Sequence, residues 1–292
     1  MKKIVIGLVI LVSVLVLWGV SKPSQQDSSV DETEVITRLQ DAHGIAVDRE
    51  DPNRVYIATH TGLLALVDDS EIIRVSDDRD DYMGFSAHPT NAKIFYTSGH
   101  PSSGGNIGFQ KSVDGGKTWS KLSDGIKGPV DFHAMTVSLA NPDVIYGVYQ
   151  GQLQRSNDGG INWELAPETP TGIYTLATSP DDESVVYAGS SSGMLISRDK
   201  GDTWNSLNLD GAISAVAVDA NNSKKMIAYE VNTGLLMSND SGKSWKAVED
   251  YNGDVIMHIV YDPQDGNIAY AINQSLEVYK TTDGAATWSK VR

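Results

Sequence analysis

The sequence contains no cysteine, so it has no disulfide framework and no lipid-anchored cysteine, and any fold must be held by its apolar core. It also lacks an amphipathic helical pattern of useful length: short apolar runs alternate instead with Asn, Asp, Gly and Pro turns. Positive charge is scarce, with 23 Lys and Arg against 38 Asp and Glu and a formal net charge of −15. Removal of Lys2 and Lys3 with a cleaved leader would make it −15 − 2 = −17. Such a surface repels nucleic acid and anionic lipid, which excludes both as partners.

What is present is a repeated octapeptide. Ser112-Val-Asp-Gly-Gly-Lys-Thr-Trp119 recurs as Ser156-Asn-Asp-Gly-Gly-Ile-Asn-Trp163 and Ser197-Arg-Asp-Lys-Gly-Asp-Thr-Trp204. It returns again as Ser238-Asn-Asp-Ser-Gly-Lys-Ser-Trp245 and, most worn, as Thr281-Thr-Asp-Gly-Ala-Ala-Thr-Trp288. The tryptophans are 44, 41, 41 and 43 residues apart, the length of one four-stranded propeller blade. In each copy a strand ends at Ser or Thr, and the Asp carboxylate can accept hydrogen bonds from its own turn. The Gly supplies a positive φ, and the Trp opens the returning strand with a large buried ring whose N–H seeks an acceptor. These octapeptides resemble the Asp-box, or BNR, repeat of sialidases, sortilin-type receptors and other propellers. The motif specifies a turn and not an activity.

Overlaying the repeats gives six blades over residues 34–292. First strands are predicted at Gly44–Asp48, Gly84–His88, Ala134–Ser138, Thr175–Ser179, Ala215–Asp219 and His258–Asp262. Second strands are predicted at Arg54–Ala58, Lys93–Thr97, Val144–Gly147, Val185–Ala188, Met226–Tyr229 and Ile268–Ala271. Blade one lacks the box, Asp68-Asp-Ser70 standing in its place, and Val35–Leu39 has no assigned partner. The expected fold is therefore all-β, a six-bladed β-propeller of four-stranded antiparallel blades preceded by one N-terminal hydrophobic helix. In that N-terminal part, Ile4–Val20 carries no ionisable residue and follows two lysines. Residues 1–21 fit both a removed signal peptide and a retained membrane anchor, and either exports the chain. Residues 22–33 are polar and read as a flexible tether.

Blade topology predicts where chemistry gathers. His43 and His133 precede first strands, while His60 and His100 follow second strands, so four of the six histidines converge on one face within three consecutive blades. Asp77, Asp78, Asp80 and Asp81 precede the first strand of blade two and Asp131 that of blade three, with Tyr82 and Phe132 beside them. His258 lies near the same face and His88 on the opposite one. Imidazole and carboxylate suit zinc, iron, nickel or manganese, which makes His43, His60, His100 and His133 candidate metal ligands. The same face can bind an organic ligand through His43, His60, Asp80, Tyr82, His100 and His133, with Tyr149 and Tyr174 offered to sugars. Asp81 and Asp131 are the pair to consider for glycoside hydrolysis.

His43-Gly44, Ala58-Thr-His60-Thr-Gly-Leu63, Asp81-Tyr-Met-Gly-Phe85, Ser98-Gly-His-Pro101 and Asp131-Phe-His-Ala-Met135 carry a closer resemblance. They are similar to segments of exported bacterial Asp-box propellers labelled glycosylhydrolase-like or sortilin-like. The resemblance spans the whole domain and implies little about substrate. Sialidases need an arginine triad and an Arg-Ile-Pro segment. Here Arg-Ile-Pro does not occur, and of eight arginines only Arg79 maps to the ligand face, so sialidase activity is not expected. Sortilin-type receptors and the Asp-box propellers that assist photosystem assembly use the repeat for recognition. Binding of a glycan, an exported protein or a metal is thus expected ahead of hydrolysis.

Overall fold

The alternating apolar runs pair as antiparallel strands and build six sheets in the computed structural model, which describes residues 34–292. The innermost strands are Gly44–Val47, Asp81–Ala87, Ala134–Val137, Ile173–Thr178, Ile213–Asp219 and Ile256–Tyr261. Each is followed in the sheet by its next three strands in chain order, the up-and-down order of a propeller blade. The protein is an all-β six-bladed propeller. The expected helix, leader and tether of residues 1–33 lie outside the described residues. Among the described residues no helix is long and apolar enough to cross a membrane.

Val35–Ile36 forms a fifth strand on blade one, pairing with Ile72 and Ile73 at its outer edge. The ring therefore closes without exchange of a strand between its first and last blades. Six clusters of buried apolar side chains occupy the six interfaces between neighbouring blades. The interface between blades six and one packs Tyr270, Ile272 and Val278 against Leu39, Val55 and Ile57. Its polar margin is sewn by the Tyr270 hydroxyl, which donates to Asp69 at 3.0 Å, and by Lys280 Nζ on Asp69 at 2.7 Å. The Arg292 guanidinium donates to the carbonyls of Ser70 and Thr37.

The five boxes share one hydrogen-bond pattern on the face that carries the loops after third strands. In the blade-four box Ser197 Oγ donates to Asp199 Oδ1 at 2.7 Å and accepts the Gly201 N–H at 2.8 Å. The Thr203 N–H donates to Asp199 Oδ1 at 2.9 Å, and its hydroxyl to Asp199 Oδ2 at 2.6 Å. The expected acceptor for the box indole is found in only two of five copies. Trp163 Nε1 donates to Ser123 Oγ at 2.9 Å and Trp204 Nε1 to the Gly201 carbonyl at 3.2 Å. The indole nitrogens of Trp119, Trp245 and Trp288 have no partner.

Hydrogen bonds to the ionised box carboxylates set an acid limit on the fold. The Thr203 hydroxyl, then Ser197, lower Asp199 from 3.8 to about 2; the hydroxyl and N–H of Ser244 do the same to Asp240, also to about 2. A carboxylate with a depressed folded pKa contributes stability that is complete above its unfolded pKa and lost as pH falls through the folded one. Thermal midpoints followed by circular dichroism should therefore drop steeply between pH 4 and pH 2. An Asp199→Asn/Asp240→Asn variant should start lower and follow a flatter curve over that range; parallel curves would exclude the boxes as the acid-labile element.

Candidate functional site

Inner strands of all six blades line a central cavity of about 230 Å³. Small side chains such as Ala46, Ala87, Ala134, Ala177 and Ala217 keep it open. At its mouth the six blades present equivalent residues: His43, Met83, His133, Tyr174, Ser214 and Met257. In blades two, four, five and six this residue is the extra one of a β-bulge. A bulge turns a side chain away from its regular face and re-aims it, and Tyr174 and Met257 are accordingly exposed. Blades four to six thus offer Tyr, Ser and Met where blades one and three offer imidazole.

Two residues before this position, blades one to three each carry an aspartate: Asp41, Asp81 and Asp131. Two residues beyond the shared second-strand pair stand His60, His100 and Gln150. Each aspartate thereby meets an imidazole of its own blade, of the preceding blade, or of both. His43 Nε2 is 3.6 Å from Asp41 Oδ1, and His60 Nδ1 is 3.4 Å from Asp41 Oδ2. The His60 N–H also donates to Asp41 Oδ1 at 2.7 Å, fixing that carboxylate. The two rings lie 4.2 Å apart. The other nitrogen of His60 reaches the next blade, 3.8 Å from Asp81 Oδ2. In blade three Asp131 Oδ2 takes His133 Nε2 at 2.9 Å and His100 Nε2 at 3.0 Å.

One feature of this face is unusual for buried polar groups: three side-chain nitrogen and oxygen atoms have no hydrogen-bond partner. They are His43 Nε2, Asp81 Oδ1 and Asp131 Oδ1. Buried polar atoms normally find partners, and exceptions mark strain, function or an absent ion. Burial, with the neighbouring His60 ring, lowers the His43 pKa and favours its neutral, metal-ligating form. The hydrogen bond that His133 donates to Asp131 raises the His133 pKa. His258 is neutral by burial and donates Nε2–H to the Ala42 carbonyl at 2.9 Å, so it orients the backbone beside His43.

The structure brings together His43, His60, His100, His133, Asp81 and Asp131, and leaves other predicted residues elsewhere. Tyr82 is fully buried: its ring lies 5.1 Å from that of Trp119 and its hydroxyl donates to Asp78 at 2.5 Å. It presents no surface to a ligand, contrary to expectation, because the bulge at Met83 turns Tyr82 into the seam between blades. Phe132 is buried likewise, 5.0 Å from Trp163. Asp80 faces the following loop and accepts the Ser102 N–H at 2.9 Å. Asp81 and His100 do not flank strands but belong to them, as directly paired residues. Arg79 is held by Glu34 at 2.8 Å. Asp41 was missed, although Asp41-Ala-His-Gly44, Asp81-Tyr-Met-Gly84 and Asp131-Phe-His-Ala134 keep one spacing and would have revealed it.

A family model for the BNR/Asp-box repeat matches residues 110–121. The chain carries that repeat. No curated protein matches the sequence. Among solved structures, the GH74 xyloglucanase from Xanthomonas campestris aligns with a TM-score of 0.60 at 16% identity, over 85% of this chain and 45% of that enzyme. YCF48 from Cyanidioschyzon merolae aligns with a TM-score of 0.53 at 20% identity, over 89% and 85%. YCF48 bound to D1 peptide aligns at 0.53 and 18%, over 88% and 84%. The chain spans less than half of the xyloglucanase, and at these identities the likeness is one of fold.

The face depends on close approach of blades two and three at Gly84. A Cβ there would stand 2.4 Å from the Phe132 carbonyl oxygen and 3.1 Å from Met135 Cβ. Gly84→Ala should cost about 1–3 kcal/mol by overpacking, measured as a lowered denaturation midpoint. An unchanged midpoint would show that the two blades can part without cost.

Proposed function

We propose that the protein is an exported binding propeller whose His/Asp-rich face takes its ligand through a divalent transition-metal ion held by Asp41, His43 and His60. The observation that carries this reading is His43 Nε2, a buried imidazole nitrogen without a partner, set beside a carboxylate and a second imidazole. The ligand atoms of these three residues lie within 4.8 Å of one another. A tetrahedral ion with bonds of about 2.0–2.1 Å spaces its ligand atoms roughly 3.3 Å apart, a spacing that small side-chain adjustments reach from the 4.8 Å within which these atoms lie. Three protein ligands leave a coordination position open at the channel mouth, where an oxygen or nitrogen of a glycan or exported protein can enter. The boxes, on the opposite face, would then be structural, and the run Ile4–Val20 would export the chain or tether it to the membrane.

Glycoside hydrolysis by Asp81 and Asp131 is the second reading, and the fold shared with a xyloglucanase is its support. The surroundings of Asp131 favour binding instead. Its side chain is buried and one oxygen already holds two imidazoles, whereas a glycosidase needs both carboxyls open to the sugar and to water.

Elemental analysis of the purified chain, made without a histidine tag or chelator, should find transition metal that a His43→Ala/His60→Ala variant loses from this position. Zinc at about 100 times its dissociation constant should stabilise the wild-type protein by about 2.7 kcal/mol, seen as a higher thermal midpoint. Absence of metal and of any zinc-induced shift would reject the reading.

A further inference from the structure

We propose that the channel mouth is a docking surface for a polypeptide segment that sets a large apolar side chain beside lysine or arginine. The proposal deepens the binding reading and rests on it for the choice of face, but it uses side chains other than Asp41, His43 and His60.

The first observation is an apolar arc. Tyr174 and Met257 are 55% and 43% exposed, and both line the central cavity. Each is the extra residue of a bulge, so its own strand turns it out of the packed layer and toward the opening. Between them blade five presents Ser214, whose hydroxyl is already spent on the Ile256 carbonyl at 2.6 Å. Isolated apolar residues are ordinary on a surface. Two at equivalent positions around one opening are not isolated, and tyrosine and methionine are among the residues enriched where proteins meet.

The second observation is the space behind the arc. A cavity of about 230 Å³ is smaller than the roughly 300–1,000 Å³ of pockets that enclose a drug-sized ligand, so it suits one inserted side chain. Hydroxyls on its walls are engaged by backbone. Ser86 Oγ accepts the Val137 N–H at 3.2 Å, and Thr178 Oγ1 accepts the Leu139 N–H at 3.0 Å. A sugar entering here would give up water without recovering its hydrogen bonds. An apolar side chain would lose nothing.

The third observation is charge. The loop or strand end that opens each of blades two to six carries a carboxylate: Asp81, Asp131, Glu168, Asp210 and Asp254. The loops of this face in blades four to six contain no lysine or arginine. In blades two and three Arg79 is held by Glu34 and Lys127 by Gln152, each at 2.8 Å. Asp131 is 6% exposed and keeps Oδ1 without a partner. A mouth lined by one sign of charge concentrates the opposite sign and repels its own. The complementary segment is therefore basic.

Selection of phage-displayed random dodecapeptides on the full chain provides the test, followed by fluorescence anisotropy of the best peptide. Lysine or arginine next to an aromatic, leucine or methionine should dominate the selected sequences. Tyr174→Ala/Met257→Ala removes only exposed side chains, so the fold should persist, and the best peptide should bind about thirtyfold more weakly. Added salt should weaken binding to the wild-type protein, and Glu168→Gln/Asp210→Asn should flatten that dependence. Enrichment of acidic peptides, or of none, would overturn the proposal. So would equal affinity in Tyr174→Ala/Met257→Ala, or a glycan array that binds while no peptide is selected. Each titration is made with zinc and with chelator, which separates this inference from the ion. Peptide bound under chelator, with no zinc-induced thermal shift, would reject the ion and keep the docking surface. A zinc-induced shift with no peptide selected would keep the ion and reject the docking surface.

Discussion

Packing between blades is the constraint on which the rest of this molecule depends. Each sheet has two apolar faces and no helix to cover them, so each must be covered by the sheets beside it, and the arrangement is complete only when the last sheet meets the first. Many rings use a shared blade for that purpose; this one uses side chains. Leu39, Val55 and Ile57 from the start of the domain and Tyr270, Ile272 and Val278 from its end form one apolar seam. Asp69, Lys280 and Arg292 fasten its rim. The short strand Val35–Ile36 covers the outer edge of blade one and takes no part in bridging the two ends. Its effect is to pair an edge that would otherwise be open to association.

The same packing explains why the chemistry is asymmetric. All six blades present a side chain at the mouth, but only blades one to three place a carboxylate two residues earlier. The imidazoles of His60 and His100 reach sideways to the next blade, so the contacts His60–Asp81 and His100–Asp131 span interfaces that hold the ring, while those to Asp41 and that of His133 stay within one blade. Residues of the candidate site and residues of the seams are neighbours in the chain. Tyr82 and Phe132 pack the seam while their neighbours Asp81 and Asp131 face the site.

The architecture and the grouping of histidines were legible in the sequence because both follow from the repeat. A box marks the end of a third strand, and counting strands from it assigns each histidine to a face. What could not be read depended on local register or on neighbours. The bulge at Met83 shifts one residue and reverses which of Asp81, Tyr82 and Met83 points outward, which is why Tyr82 was misjudged. Partners of the box indoles depend on the preceding blade. Trp163 finds Ser123, but the positions matching Ser123 in later blades are Ala166, Leu207 and Val248, which have no side-chain acceptor. Asp41 was different: its signal was present, in a spacing shared by three blades, but it sits outside the apolar strand on which the alignment was built.

Closing the ring with side chains also sets an order on folding. Neighbouring blades are joined by chain segments of about forty residues, so their contacts form between segments that are close in sequence. The seam between blades six and one joins residues such as Ala42 and His258, 216 positions apart. Loop-closure entropy grows only logarithmically, so this separation costs roughly 1.5 kcal/mol more than a contact between adjacent blades. The final seam is therefore the weakest of six similar ones by entropy alone, and it is the natural place for the ring to part when it opens. Because the hydrogen bond from His258 to Ala42 belongs to that seam, an opened ring would release the backbone next to His43. Anything that binds at the mouth would thus act as a clasp on the whole disc.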